Sequence, residues 1–262
     1  MNIILKIIRY ELNDLLRSKW LLSYGLFFWV VTDLLFRFGS SGASVVVSLM
    51  NIVLIIIPLI SLIFGMVYLY NSREFMELLL TQPIDRKHVF LGMFLGLSVP
   101  LSIIYLMGIF IPLLYMNIDV QSLNAYLNLG VTGLVLTLIF TALAFYFSTI
   151  FEDKIKGLGL AVLLWLFFIV IYDGIILIIL FLFADYPLDN VSIILSLINP
   201  INLGRIFLLL QLDVSALMGY TGAVFARFFG GSTGIIISLF SMLVWVLAPI
   251  LLGQQKFLKK DF

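Results

Sequence analysis

Apolar positions dominate the chain and change their pattern only once, near the start. In residues 2–19 Ile4, Ile8, Leu12, Leu15 and Leu16 recur at helical spacing, while Lys6, Arg9, Asn13 and Arg17 share another face. This predicts an amphipathic helix lying along a membrane surface rather than a signal peptide, which has one unbroken apolar stretch. Six long apolar segments follow, at about 20–38, 44–70, 89–115, 126–150, 157–184 and 232–252, each long enough for the roughly 20 residues a spanning helix needs. The expected fold is therefore an all-α polytopic membrane protein with six spans, in one domain covering 1–262.

Composition agrees with the pattern. Residues of the set AVILMFWYC make up 63% of the 262 and charged residues 11%, too few to cover a soluble domain of this size. Disorder needs the opposite balance. A net charge of +1 gives no electrostatic case for nucleic acid. With no cysteine and a single histidine, His88, thiolate and clustered-histidine metal sites are not expected, nor is a catalytic triad.

Twelve of the 15 Lys and Arg residues fall in segments on one side of this topology: before the first span, between the second and third, between the fourth and fifth, and after the sixth. The positive-inside rule places those segments, and both termini, in the cytoplasm of a cell-membrane protein. The other three are Arg37, Arg205 and Arg227. Between the fifth and sixth spans, residues 185–231 contain apolar runs broken by Asn199-Pro200, Asn202, Arg205 and Asp213. Each run is too short to cross the membrane, and a seventh span would put the C-terminal lysines outside. Short external or re-entrant helices are expected, one starting at Asn199 as cap and Pro200 as first residue. Arg205 and Arg227 are expected to anchor them by pairing with Asp185, Asp189 or Asp213.

Inside the spans three charges stand out. Asp33 lies about 12 residues, ~18 Å, into the first span, with Arg37 four residues on and able to pair with it. The pair is read as sitting near the outer interface; the competing reading is a polar lining for a substrate. Asp173 lies in the fifth span with no basic residue near it in sequence, and is expected to make an interhelical hydrogen bond rather than carry a proton. Gly92 and Gly96 permit close helix contact.

The loop at 71–88 carries the clearest pattern: Arg73, Glu74, the run Glu77-Leu78-Leu79-Leu80, Pro83, Arg86, then Leu91-Gly92. This resembles the ABC-2 family of ATP-binding-cassette transporter permeases, as do the N-terminal helix with Glu11 ahead of Arg17-Ser18-Lys19 and the closing Lys259-Lys260-Asp261. Phe75-Met76 and Met93 depart from the family pattern, in which Gly-Thr and Lys are usual. Within the family the stretch from Asn199-Pro200 to Arg205 and the compact length resemble the permease of the nitrous-oxide-reductase maturation system.

The resemblance implies the membrane subunit of an ATP-driven transporter, of exporter type. Residues 1–19 would form an interfacial elbow helix, and 71–88 a coupling segment offering Arg73, Glu74, Glu77 and Arg86, together with Glu11, to a separate ATPase subunit. That partner would hold ATP and Mg, since no G-x-x-x-x-G-K-[ST] loop occurs here, and this chain would carry no cofactor and no catalytic residue. A second permease copy and an external partner protein are further implied. The competing reading is a secondary transporter, which would show inverted repeats and more intramembrane charge. An intramembrane hydrolase is disfavoured because Glu74, Glu77 and His88 share one loop.

Overall fold

The structure, a computed structural model, describes residues 3–15, 18–39, 42–116, 120–183, 189–211 and 232–259. The described residues are helical and contain no strand. Helix α1 (Ile3–Leu15) precedes α2 (Lys19–Phe38), α3 (Gly42–Asn71), the short α4 (Arg73–Leu80), α5 (Arg86–Tyr115) and α6 (Val120–Ile150). Helix α7 (Lys154–Leu166) continues through a π-helical turn at Phe167–Ile171 into α8 (Tyr172–Leu182). Two short helices, α9 (Asp189–Ile198) and α10 (Pro200–Gln211), come before α11 (Ser232–Lys259).

Among the described residues six elements are long and apolar enough to cross a membrane: α2, α3, α5, α6, the continuous α7–α8 rod, and α11. Helices suit this environment because each satisfies its own backbone hydrogen bonds. Their burial sorts them into layers. Of the most apolar stretch of α6, 72% of residues are buried inside the chain, against 11% for the α7–α8 rod. Helix α6 is thus the central post, packed chiefly on α3 and α11, while α7–α8 turns most of its surface away from the rest of the chain. Helices α1 and α2 pack on α5.

The termini and the basic loops gather at one end, called here the basic end. Tyr70 donates to the Phe151 carbonyl, Lys154 Nζ to Asn71 Oδ1, and Arg86 to the Leu258 carbonyl. The last helix runs through Lys256 to Lys259, past the expected limit of the apolar segment near 252, and α5 starts at Arg86 rather than 89. Helices extend beyond the hydrocarbon core because interfacial residues keep the backbone ladder without needing to be apolar.

Prolines inside the spans (Pro58, Pro100, Pro112 and Pro249) remove ladder bonds. Near Pro58 a neighbouring span helps, as Trp165 Nε1 donates to the Ile55 carbonyl at 2.9 Å. Residues 16–17, 184–188, 212–231 and 260–262 lie outside the described residues; with them go the expectations for Asp185, Asp213, Arg227 and Lys260.

Candidate functional site

At the basic end, α4 is a two-faced helix of eight residues. Glu74 sits in its first turn, where a carboxylate favours the helix dipole. Met76 is buried and Leu79 and Leu80 are half-buried against the bundle, leaving Glu74, Glu77 and Leu78 exposed on the other side. The Thr81 hydroxyl and amide bond back to Leu78 and Glu77, and the chain then turns at Pro83. Phe75 stacks on Tyr10 of α1 at 5.4 Å between ring centres. Arg86, at the start of α5, reaches the C-terminal turn of α11. The short helix is thereby tied to α1 by its stack and to α3 and α5 by packing, and Arg86 joins the start of α5 to α11.

Of the five residues expected to meet an ATPase, the fold leaves Glu74 and Glu77 on the open face. Arg73 turns inward, lining a small pocket with Tyr70, Ser148 and Phe257. Arg86 is spent on Leu258. Glu11 is buried, only 4% exposed, because α1 crosses α5 at two glycines: Gly92 meets Ile7 and Gly96 meets the Glu11 side chain. A β-carbon at Gly96 would come within 2.9 Å of Glu11 Cβ and Cγ, so the Gly-x-x-x-Gly spacing serves the seating of α1. Burial holds the Glu11 carboxyl above the usual carboxylate range. The Tyr68 hydroxyl, which makes no well-formed hydrogen bond of its own, opposes that rise, and Asp14 adds to it.

The opposite end holds the second polar site. Helices α9 and α10 form a hairpin broken at Asn199. Asn199 Oδ1 accepts from the amides of Ile201 at 2.9 Å and Asn202 at 3.4 Å, capping α10 with Pro200 as its first residue, as the sequence predicts. Its amide donates to the Phe168 carbonyl at 2.8 Å, inside the π-helical turn. Such turns widen the ladder and expose a carbonyl to an outside donor. From there the hairpin climbs along α8. Arg205 pairs with Asp173 Oδ2 at 2.8 Å and Asn202 donates to Asp173 Oδ1 at 2.9 Å, so both carboxylate oxygens are occupied.

Among the described residues Arg205 pairs with Asp173, in a span, a partner the sequence did not suggest; Asp185, Asp213 and the side chain of Asp189 lie outside what is described. The hairpin packs against α6, α3 and α11, which brings Arg205 back to the fifth span. Tyr172 donates to the Leu195 carbonyl, and Ser241 and Trp245 donate to that of Leu197. These bonds satisfy the C-terminal carbonyls of α9 that have no partner in their own helix. The sequence marks Asn202 only as a break in the apolar runs and not as a partner of Asp173, although Asn199, Asn202 and Arg205 at spacings of three lie along one side of a helix.

The Asp33–Arg37 pair forms within α2 at 2.7 Å, with Tyr115 donating to the other carboxylate oxygen at 2.9 Å.

The sequence profile described as "ABC-2 family transporter protein" matches residues 5–262. The chain belongs to the ABC-2 transporter family. Two relatives bear the name "Probable ABC transporter permease protein NosY". That of Pseudomonas aeruginosa is 31% identical over 236 residues, covering 84% of this chain and 86% of the relative. That of Stutzerimonas stutzeri is 27% identical over 223 residues, covering 79% and 81%. The chain is accordingly a multi-pass membrane permease of an ABC transporter, a class that works with an ATPase partner.

Proposed function

We propose that this permease forms the translocation path of an ATP-driven exporter and takes its power stroke through α4. The observation that carries the reading is the two-faced α4: one face is packed on α3 and α5 and stacked on α1 through Phe75, while Glu74, Glu77 and Leu78 face away from the bundle. A lever needs both a grip on the spans and a free surface for its driver. A separate ATPase subunit, holding ATP and Mg, docks on that surface, and a second copy of the permease completes the path. The basic end then faces the cytoplasm. The α9–α10 hairpin covers the outer mouth, where the resemblance to nitrous-oxide-reductase maturation permeases adds an external partner protein. Secondary transport is disfavoured because Asp173, the deepest carboxylate of the fifth span, is already neutralised by Arg205.

The test is Glu77→Lys in the assembled permease–ATPase complex. The residue is exposed, so insertion and folding survive. Transport-coupled ATP hydrolysis falls by more than tenfold, about 1.4 kcal/mol, as expected when a charge contact at an interface is reversed. An unchanged rate in an intact complex overturns the docking surface. Orientation is tested separately in this cysteine-free chain. Asp85→Cys resists an impermeant thiol reagent in intact cells, and labelling from outside overturns the assignment.

A further inference from the structure

A second polar feature at the basic end belongs neither to the exposed face of α4 nor to the α9–α10 hairpin. Between α1, the start of α2, the end of α3 and α4 lies a cleft of about 380 Å³. Its walls include Tyr10, Trp20, Tyr68 and Phe75, with the carboxylates of Glu11 and Asp14 among them. Glu11 is the unusual member. It is only 4% exposed, it lines the cleft, and no ion pair or well-aligned hydrogen bond reaches it among the described residues. Its polar neighbours are the Tyr68 hydroxyl, buried and in no well-formed hydrogen bond, and Asp14. A buried carboxylate is retained at this cost only where something compensates it.

The surroundings define what would compensate it. Aromatic faces attract a cation, and the pull strengthens where water is partly excluded. Two carboxylates and a hydroxyl accept hydrogen bonds, which a primary ammonium supplies and a quaternary one does not. The position favours a lipid over a soluble amine. The cleft opens where α2 enters its apolar stretch, with Trp20 and Tyr10 exposed at the rim as interfacial aromatics are. Its size falls within the range of small-ligand sites.

We propose that this cleft is a binding site for the primary-ammonium headgroup of an aminophospholipid, seated between α1 and α4. Bound there, the headgroup neutralises Glu11 and joins the Tyr10–Phe75 stack from beneath. The lipid thus becomes part of the joint between α1 and α4.

The experiment uses the full-length permease, with its ATPase where the two co-purify. It is reconstituted in nanodiscs of equal parts phosphatidylethanolamine, phosphatidylcholine and phosphatidylglycerol of identical chains. Native mass spectrometry then counts the lipids that survive release. Phosphatidylethanolamine is retained about fivefold over each of the others, a modest preference of the size expected for a partly desolvated cation–aromatic site. Glu11→Gln, which keeps the shape and removes the charge, abolishes that preference. It leaves the melting temperature in ethanolamine-free discs unchanged or raised, whereas a residue with only a packing role would lower it. Asp14→Asn, at an exposed position, weakens the preference and carries the test if Glu11→Gln does not fold. Equal retention of the three lipids, or a preference that both variants keep, overturns the site. Saturable binding of free ethanolamine to discs of phosphatidylcholine and phosphatidylglycerol, with no lipid preference, overturns the lipid assignment.

Discussion

Among the described residues two acid–base pairs lie beyond the basic half of this molecule, and they are built in opposite ways. Asp33 and Arg37 belong to one helix and stand one turn apart, with 62% of the arginine side chain exposed. Asp173 and Arg205 are 32 residues apart, and the two side chains are 29% and 31% exposed. The first pair follows from local helix geometry, and the protein folds the same way without it. The second exists only if the α9–α10 hairpin turns back into the bundle, so it reports and reinforces a tertiary arrangement. Its oxygens are both occupied, one by Arg205 and one by Asn202, which is the condition under which a carboxylate is tolerated in a span.

The comparison is broken most severely at Arg205. Arg205→Glu sets two carboxylates face to face against α8. Removing one partner of a buried pair costs about 3–5 kcal/mol, and repulsion adds to it, while the partial exposure of both side chains moves the estimate to the lower end. The expected outcome is a large loss of monodisperse protein after extraction, measured by size-exclusion chromatography. The exchanged pair, Asp173→Arg with Arg205→Asp, recovers part of it. If the exchange recovers nothing while each single variant is as stable as the parent, the pair does not hold the hairpin.

The difference between the pairs also sets what the sequence can reveal. The contact of Asp33 with Arg37 is legible because its spacing of four is itself a contact rule. The break at Asn199-Pro200 is legible for the same reason: a cap followed by a proline is local chemistry. The six spans are legible because length and apolarity answer to the thickness of a bilayer. The partner of Asp173 is not legible by distance along the chain, although the polar row of Asn199, Asn202 and Arg205 already marked a helix side that needed company. Nothing local marks the π-helical turn at Phe167–Ile171, with no proline or glycine inside it. At the basic end the loop pattern located the segment but not the facing of its residues. Glu74 and Glu77 are open to a partner, while Glu11 faces a cleft, because two glycines of α5 draw α1 inward.

An intermediate effect is expected at the hairpin tip. Asn199→Ala removes the cap on α10, about 1 kcal/mol, and the bond to the Phe168 carbonyl, about 1 kcal/mol more. The melting temperature falls, while Asn199→Ser keeps a capping oxygen without burying a charge and loses the bond to Phe168. Asn199→Ser should therefore lie between the parent and Asn199→Ala. If Asn199→Ser is as stable as the parent, the amide bond to the π-helical turn contributes nothing, and the hairpin is held by Asp173, Tyr172 and Trp245 alone.

The smallest effect belongs to the local pair. Arg37→Gln removes a cation that is mostly in contact with the surroundings, on the last turn of α2, where it favours the helix dipole only weakly once exposed. Asp33 keeps its bond from Tyr115, a residue of another span, so the carboxylate is not left without a donor. The expected outcome is an unchanged melting temperature and unchanged extraction yield. A loss as deep as that of Arg205→Glu would show that the pair is not local after all, and that α2 is fastened to α5 through Arg37 as well as through Tyr115. A drop in transport without a drop in stability would place Asp33 and Arg37 on the substrate path instead. Measuring both quantities on the same preparation separates these results, because a fastening lost from the fold lowers stability before it lowers rate.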